Sequence, residues 1–163
     1  MTLEAVDGII KLQKDTKSEE VIDMRKILLP IDGSKRSIRT VEFIKQTIRP
    51  EDCEITIAKV IGAQLYLNSM EEIKHRAEQA RPELDNVAEM LEGYQVKTQV
   101  LLGSAPGVEI VEYAKEIDAD VIFLTRSTRG PIRKMGSVAT YLVKNATFLD
   151  VFVMREDPET VEE

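Results

Sequence analysis

Short apolar runs alternate along this chain with segments whose apolar residues recur every three or four positions, and that alternation limits the fold more than any other feature. Lys26-Ile27-Leu28-Leu29-Pro30-Ile31 is almost wholly apolar, as strands covered on both faces are. Asp32-Gly33-Ser34 breaks it, and Ile38, Val41, Ile44 and Ile48 then keep helical spacing. Cys53 to Ile61 reads as a second strand. Met70, Ile73, Ala77, Ala80, Leu84, Val87 and Leu91 form one helical stripe, with Pro82 predicting a kink or a restart inside it. Tyr94 to Leu102 is a third strand. Ser104 is the expected cap of the next helix, with Pro106 in its first turn and Val108, Val111, Ala114 and Ile117 as its buried face. Val121 to Leu124 is a fourth strand, Thr125 to Met135 a basic loop, Gly136 to Ala146 a short helix and Phe148 to Met154 a last strand. The order βαβαβαβαβ predicts an α/β protein: an open five-stranded parallel sheet with helices on both faces and right-handed crossovers.

The ends differ from this core. In residues 1–24, Leu3, Val6, Ile9, Ile10 and Gln13 suggest a short amphipathic helix, followed by a polar linker over Lys14 to Glu20. That stretch reads either as a loosely docked extension or as a partner contact. Residues 25–155 form the domain, and residues 156–163 form an acidic tail. The net charge of -7 argues against sequence-independent nucleic-acid binding, which needs a basic face. No apolar run is long enough for a membrane span, and the opening residues lack the pattern of a secretion signal, so a cytoplasmic location is expected. Cys53, the only cysteine, cannot form an internal disulfide, and with the lone His75 it cannot build a structural zinc site.

Parallel sheets of this kind take ligands beyond the carboxyl ends of their strands, where the strand order reverses. That rule points to Pro30 to Ser34, to the region near Val60, and to Thr125 to Ser137. The sequence contains no glycine-lysine phosphate loop, no G-x-G-x-x-G after the first strand and no G-x-S-x-G elbow. Leu102-Gly103 stands where a receiver domain would need its phosphoacceptor aspartate. No general base paired with a nucleophile is visible, so no catalytic residue is assigned. What remains is Asp32, the basic residues Arg126, Arg129, Arg133 and Lys134, and Gly136-Ser137. Gly136-Ser137 reads equally as a helix cap or as a phosphate contact at a helix N-terminus. Asp32 reads either as a capping aspartate or as a ligand contact.

These residues carry a family likeness. Lys26-Ile27-Leu28-Leu29-Pro30-Ile31-Asp32-Gly33-Ser34 closely resembles the opening strand and turn of the universal stress protein family. Gly103-Ser104-Ala105-Pro106 with Glu109-Ile110-Val111, then Asp118-Ala119-Asp120-Val121-Ile122 and Gly136-Ser137-Val138-Ala139, are similar to its later motifs. The resemblance covers nearly all of the chain outside residues 1–24 and the tail. It implies a Rossmann-like fold of the adenine nucleotide alpha hydrolase type. It also implies a role in stress response, and a homodimer joined through the last strand with Val151 and Val153 near the axis. By the same resemblance Pro30, Ile31 and Asp32 line the adenine and ribose side, Val60 the adenine side, and Gly136, Ser137 and Val138 the phosphates. The ATP-binding branch carries G-x2-G-x9-G-[ST] after its fourth strand. Here Thr125 and Thr128 stand at the first two glycines, and seven residues rather than nine precede Gly136. Thr125, Arg126, Ser127 and Thr128 offer side-chain donors in place of that backbone loop. The expectation is a regulatory protein that binds ATP or another adenine nucleotide, with magnesium, weakly. The alternative is a nucleotide-independent dimeric interaction module of the family's non-ATP branch.

Overall fold

The computed structural model describes residues 24–62, 68–126 and 135–155. Its elements are β1 (Arg25–Ile31), α1 (Arg36–Thr47), a 3-10 turn (Pro50–Asp52), β2 (Cys53–Ile61), α2 (Met70–Met90), β3 (Gln95–Leu102), α3 (Pro106–Glu116), β4 (Val121–Arg126), α4 (Ser137–Asn145) and β5 (Asp150–Arg155). The sheet is wholly parallel in the order β3-β2-β1-β4-β5. The chain runs outward from β1 to β3 and then crosses back to β4 on the other side of β1. That reversal lies between β1 and β4.

Alternation along β1 feeds two cores. Ile27, Leu29 and Ile31 pack with Val41 and Ile44 of α1 and Leu84 and Val87 of α2. Leu28, with no exposed surface, packs on the opposite face with Ile110 and Ala114 of α3 and Ala139 and Leu142 of α4. A central strand buried on both faces must be apolar at successive positions, which is why Ile27-Leu28-Leu29 shows no polar alternation. The lower ends of the strands are tied by Asp120, whose carboxylate accepts from the Lys26 backbone N–H at 2.7 Å while its own N–H donates to the Lys26 carbonyl at 2.8 Å.

Several details depart from the sequence reading. The α2 helix runs on through Pro82 without a restart. Pro82 and Glu78, whose carbonyl the proline leaves without its helical donor, both lie on the exposed side, where water replaces the lost bond. Met70 of the same stripe is exposed, while Ser69 and Glu72 close a reciprocal capping box at that end. Ser104 does not cap α3: Ala105 holds the cap position without a side-chain bond, and Pro106 opens the helix. The buried face of α3 is Gly107, Ile110, Val111 and Ala114, so Val108 turns outward. Ile38 is likewise exposed, and Thr40 takes its place in the core, its hydroxyl donating to the Ser37 carbonyl at 2.8 Å. Thr125 and Arg126 belong to β4 rather than to a loop, since pairing with Met154 and Arg155 carries the strand to Arg126. Phe148 precedes β5 and is exposed. Residues 1–23, Ser127, Thr128, Arg129, Arg133, Lys134 and the acidic tail lie outside the described residues.

Candidate functional site

A cleft of about 350 Å³ opens at the carboxyl ends of β1, β2 and β4, where the strand order reverses. Parallel strands all deliver their following turns to this one end, which is how distant parts of the sequence meet there. β1 contributes Pro30 and Ile31 with Asp32 beyond them, β2 Ala58 to Val60, β4 Leu124 to Arg126, and the opposite wall is Gly136 to Ala139. Pro106 and Ile110 of α3 close one side. Of the site residues proposed from the sequence, Pro30, Ile31, Asp32, Val60, Thr125, Arg126, Gly136, Ser137 and Val138 all line this cleft. Ser127 and Thr128 fall outside the described residues.

The turn after β1 is built around Asp32. The Ser34 backbone N–H donates to its carboxylate at 2.9 Å, and the Ser34 hydroxyl and Arg36 guanidinium donate as well. Burial by itself would raise this carboxyl, but the Ser34 hydroxyl and amide and the Arg36 guanidinium outweigh it and hold Asp32 below its ordinary value. Asp32 therefore shapes the turn through Ser34 rather than capping α1, whose cap position is Lys35. Gly33 adopts φ +80, and the Glu83 carboxylate lies against it so closely that a Cβ there would sit 2.3 Å from Glu83 Oε2. Glu83 reaches in from α2 and pairs with Lys59, whose side chain is 17% exposed.

Arg36, Ser37 and Lys59 were missed at the sequence level. Lys59 carried a signal, being a cation inside an otherwise apolar strand, and Arg36 carried one in its i,i+4 spacing from Asp32. Both are tied down, Arg36 by Asp32 and Lys59 by Glu83.

The wall opposite is less saturated. Gly136 is the cap position of α4 with φ -58, no side chain caps that helix, and the space a Cβ would fill at Gly136 contains no protein atom within 4 Å. The N–H groups of a helix's first turn have no partner within the helix, so this end favours an anion. Among the described residues, Thr125 Oγ1 is the buried side-chain polar atom without a hydrogen-bond partner. No three His, Cys, Asp or Glu side chains among the described residues converge to hold a metal ion.

Topology and cleft together define an α/β ligand-cleft domain of Rossmann-like type. The chain belongs to the universal stress protein family, whose model matches residues 24–155. A putative universal stress protein of Staphylococcus aureus (strain USA300) is 27% identical over 146 residues, covering 84% of this chain and 87% of the relative. A solved universal stress protein in complex with cAMP superposes with a TM-score of 0.65 at 20% identity, over 80% of this chain and 96% of that one. The universal stress protein of Archaeoglobus fulgidus in complex with dAMP gives a TM-score of 0.58 at 24% identity, over 82% and 98%. Among the described residues no helix is long and apolar enough to cross a membrane.

Proposed function

We propose that this protein is a regulatory member of its family that binds an adenine nucleotide in the cleft above β1 and β4. The observation that carries this reading is the convergence of Pro30, Ile31 and Val60 with Arg126 and the open helix end at Gly136-Ser137 on one cavity. Apolar walls suit a base, and a free helix N-terminus beside a cation suits a phosphate. That solved proteins of this fold are in complex with cAMP and dAMP supports the same ligand class.

ATP binds weakly in this reading. A triphosphate brings up to about four negative charges toward a chain at -7, a repulsion that local cations must offset. A Kd on the order of 10 μM or higher follows, equivalent to about -7 kcal/mol. Titration calorimetry with ATP and magnesium tests this. Affinity should fall with added salt and in an Arg126→Ala, Arg129→Ala double variant. Sub-micromolar binding insensitive to salt would show a backbone cradle instead, and absence of binding at millimolar ATP would favour an interaction module.

Self-association is the second part of the proposal. Among the described strands β5 lies at the edge, Phe152 on it is 44% exposed, and an open edge offers unpaired N–H and C=O groups to another chain. A homodimer through β5 follows, with Val151 and Val153 near the axis. Light scattering at micromolar concentration checks it, and a monomer mass would refute it.

A further inference from the structure

A second cavity, of about 290 Å³, lies at the opposite pole of the sheet from the cleft, against the amino-terminal halves of β1, β2 and β3. Higher up, this face of the sheet buries Leu28 and Ala58 under α3. At this end apolar residues give way to polar ones. Register sets Lys26 of β1 beside Glu54 of β2, and Thr56 of β2 beside Lys97 of β3, and all four line the cavity. Tyr113, Glu116 and Asp118, at the carboxyl end of α3, form the facing wall.

Thr56 is only 6% exposed, yet its hydroxyl has no hydrogen-bond partner among the described residues and opens on the cavity. It is therefore available to a ligand, as donor or acceptor. The charges around it form two opposed sets. Lys97 is engaged by Glu54, but the Lys26 ammonium has no ion pair among the described residues, and its one hydrogen bond, to the Ile117 carbonyl, is long at 3.4 Å. On the facing wall Glu116 and Asp118 have no ion pair among the described residues either. Both stand where the free carbonyls of α3 already make the potential negative, an unfavourable place for acids. Asp118 also holds φ 52, a left-handed position after a helix that glycine or asparagine usually takes. Lys115 on the same turn is engaged by Glu112.

A simple cation entering this cavity meets Lys26, and a simple anion meets two carboxylates. A small zwitterion matches both sets at once, because each of its charges faces an opposite one. The acids do not converge on a metal ion among the described residues. We propose that this cavity binds a free α-amino acid, its carboxylate taken by Lys26 and the Thr56 hydroxyl and its ammonium by Glu116 and Asp118. The polar lining, and a volume at the small end of ligand sites, select a small or polar side chain.

The test is titration calorimetry of the full chain with glycine, L-serine and L-glutamine. Each is run beside its N-acetyl form, which keeps only the negative charge, and its amide, which keeps only the positive one, with glycerol as the neutral control. At least one free amino acid should bind with a Kd below about 1 mM, and both of its blocked forms at least about tenfold more weakly. Thr56→Val should weaken that amino acid by about tenfold while melting at or above the parent, since valine suits a strand. Lys26→Gln should abolish the preference for the free amino acid over its amide. Absence of binding by all three at about 10 mM would overturn the assignment. So would a blocked form or glycerol that binds as well as the free amino acid, or a folded Thr56→Val protein that binds it like the parent.

Discussion

Gly107 decides how closely α3 and α4 approach, and replacing it by alanine tests that packing directly. A Cβ at Gly107 would lie 2.8 Å from Tyr141 Cδ1 and 3.0 Å from Tyr141 Cβ. In an unobstructed helix the same change would stabilise by about 0.5–1 kcal/mol, because alanine loses less backbone freedom on folding. Here the obstructing atoms include the root of the tyrosine side chain, so a rotation of the ring does not relieve them. Either α4 shifts or α3 does, at about 1–3 kcal/mol for an overpacked contact. The clash exceeds the propensity gain, and Gly107→Ala should destabilise by about 1–2 kcal/mol. At about 2–4 °C per kcal/mol for a chain of this size, thermal denaturation should show a loss of roughly 2–8 °C. In a Tyr141→Ala background the same change should be neutral or stabilising, giving a clear coupling in the double-mutant cycle. A Gly107→Ala protein that melts at or above the parent, with Tyr141 in place, would refute the argument.

Other expectations concern the core and the turn at Asp32. Leu28→Ala, at a site with no exposed surface, should cost about 2–5 kcal/mol, whereas Val108→Ala, 37% exposed on α3, should stay within about 0.5 kcal/mol. Chemical denaturation of the two variants side by side checks the assigned face of α3. Asp32 titrates below its ordinary value of 3.8 in the folded chain, so its contribution is complete above that pH and is lost as pH falls through the lowered value. Its side chain is 54% exposed, which screens the pair with Arg36, so the contribution is under about 1 kcal/mol. The stability gap between parent and Asp32→Asn should therefore close as pH falls below 3.8. A gap that widens on acidification would contradict the sign.

The order of elements was legible because burial on both faces leaves strands such as Ile27-Leu28-Leu29 apolar at every position, while the helices keep one stripe. The face of α3 was legible in part: Val111 and Ala114 are buried as read, but Val108, which fits the three-and-four spacing equally well, is exposed, and Gly107 and Ile110 are buried instead. The end of β4 was misread for a related reason. Thr125 and Arg126 look like loop residues in a local window, and their strand character comes from pairing with Met154 and Arg155, about thirty positions away. The site was readable where it follows from topology. Strand ends alone bring Pro30, Val60 and Gly136 together, but the ion pairs that neutralise Arg36 and Lys59 depend on side chains meeting across elements, as Lys59 and Glu83 do.

Gly136 separates a glycine kept for a ligand from one kept for the helix. Its φ of -58 is open to any residue, and the space beside it is empty of protein, so neither strain nor crowding within the chain requires glycine there. Alanine is a poorer helix cap than glycine, so Gly136→Ala should lower stability by at most about 1 kcal/mol. Serine is a better cap than either, so Gly136→Ser should match or exceed the parent in stability while still placing a Cβ at the mouth of α4. If the glycine exists to let a phosphate reach the first-turn amides, both variants should lose AMP affinity, by about tenfold or more, because the added carbon holds the ligand off donors that act only at close range. Adenosine, which has no phosphate to place there, should bind both variants like the parent. Calorimetry with the two ligands, alongside thermal melts, separates the possibilities. A Gly136→Ser protein that is stable and still binds AMP normally would show that the open helix end is not where the phosphate goes.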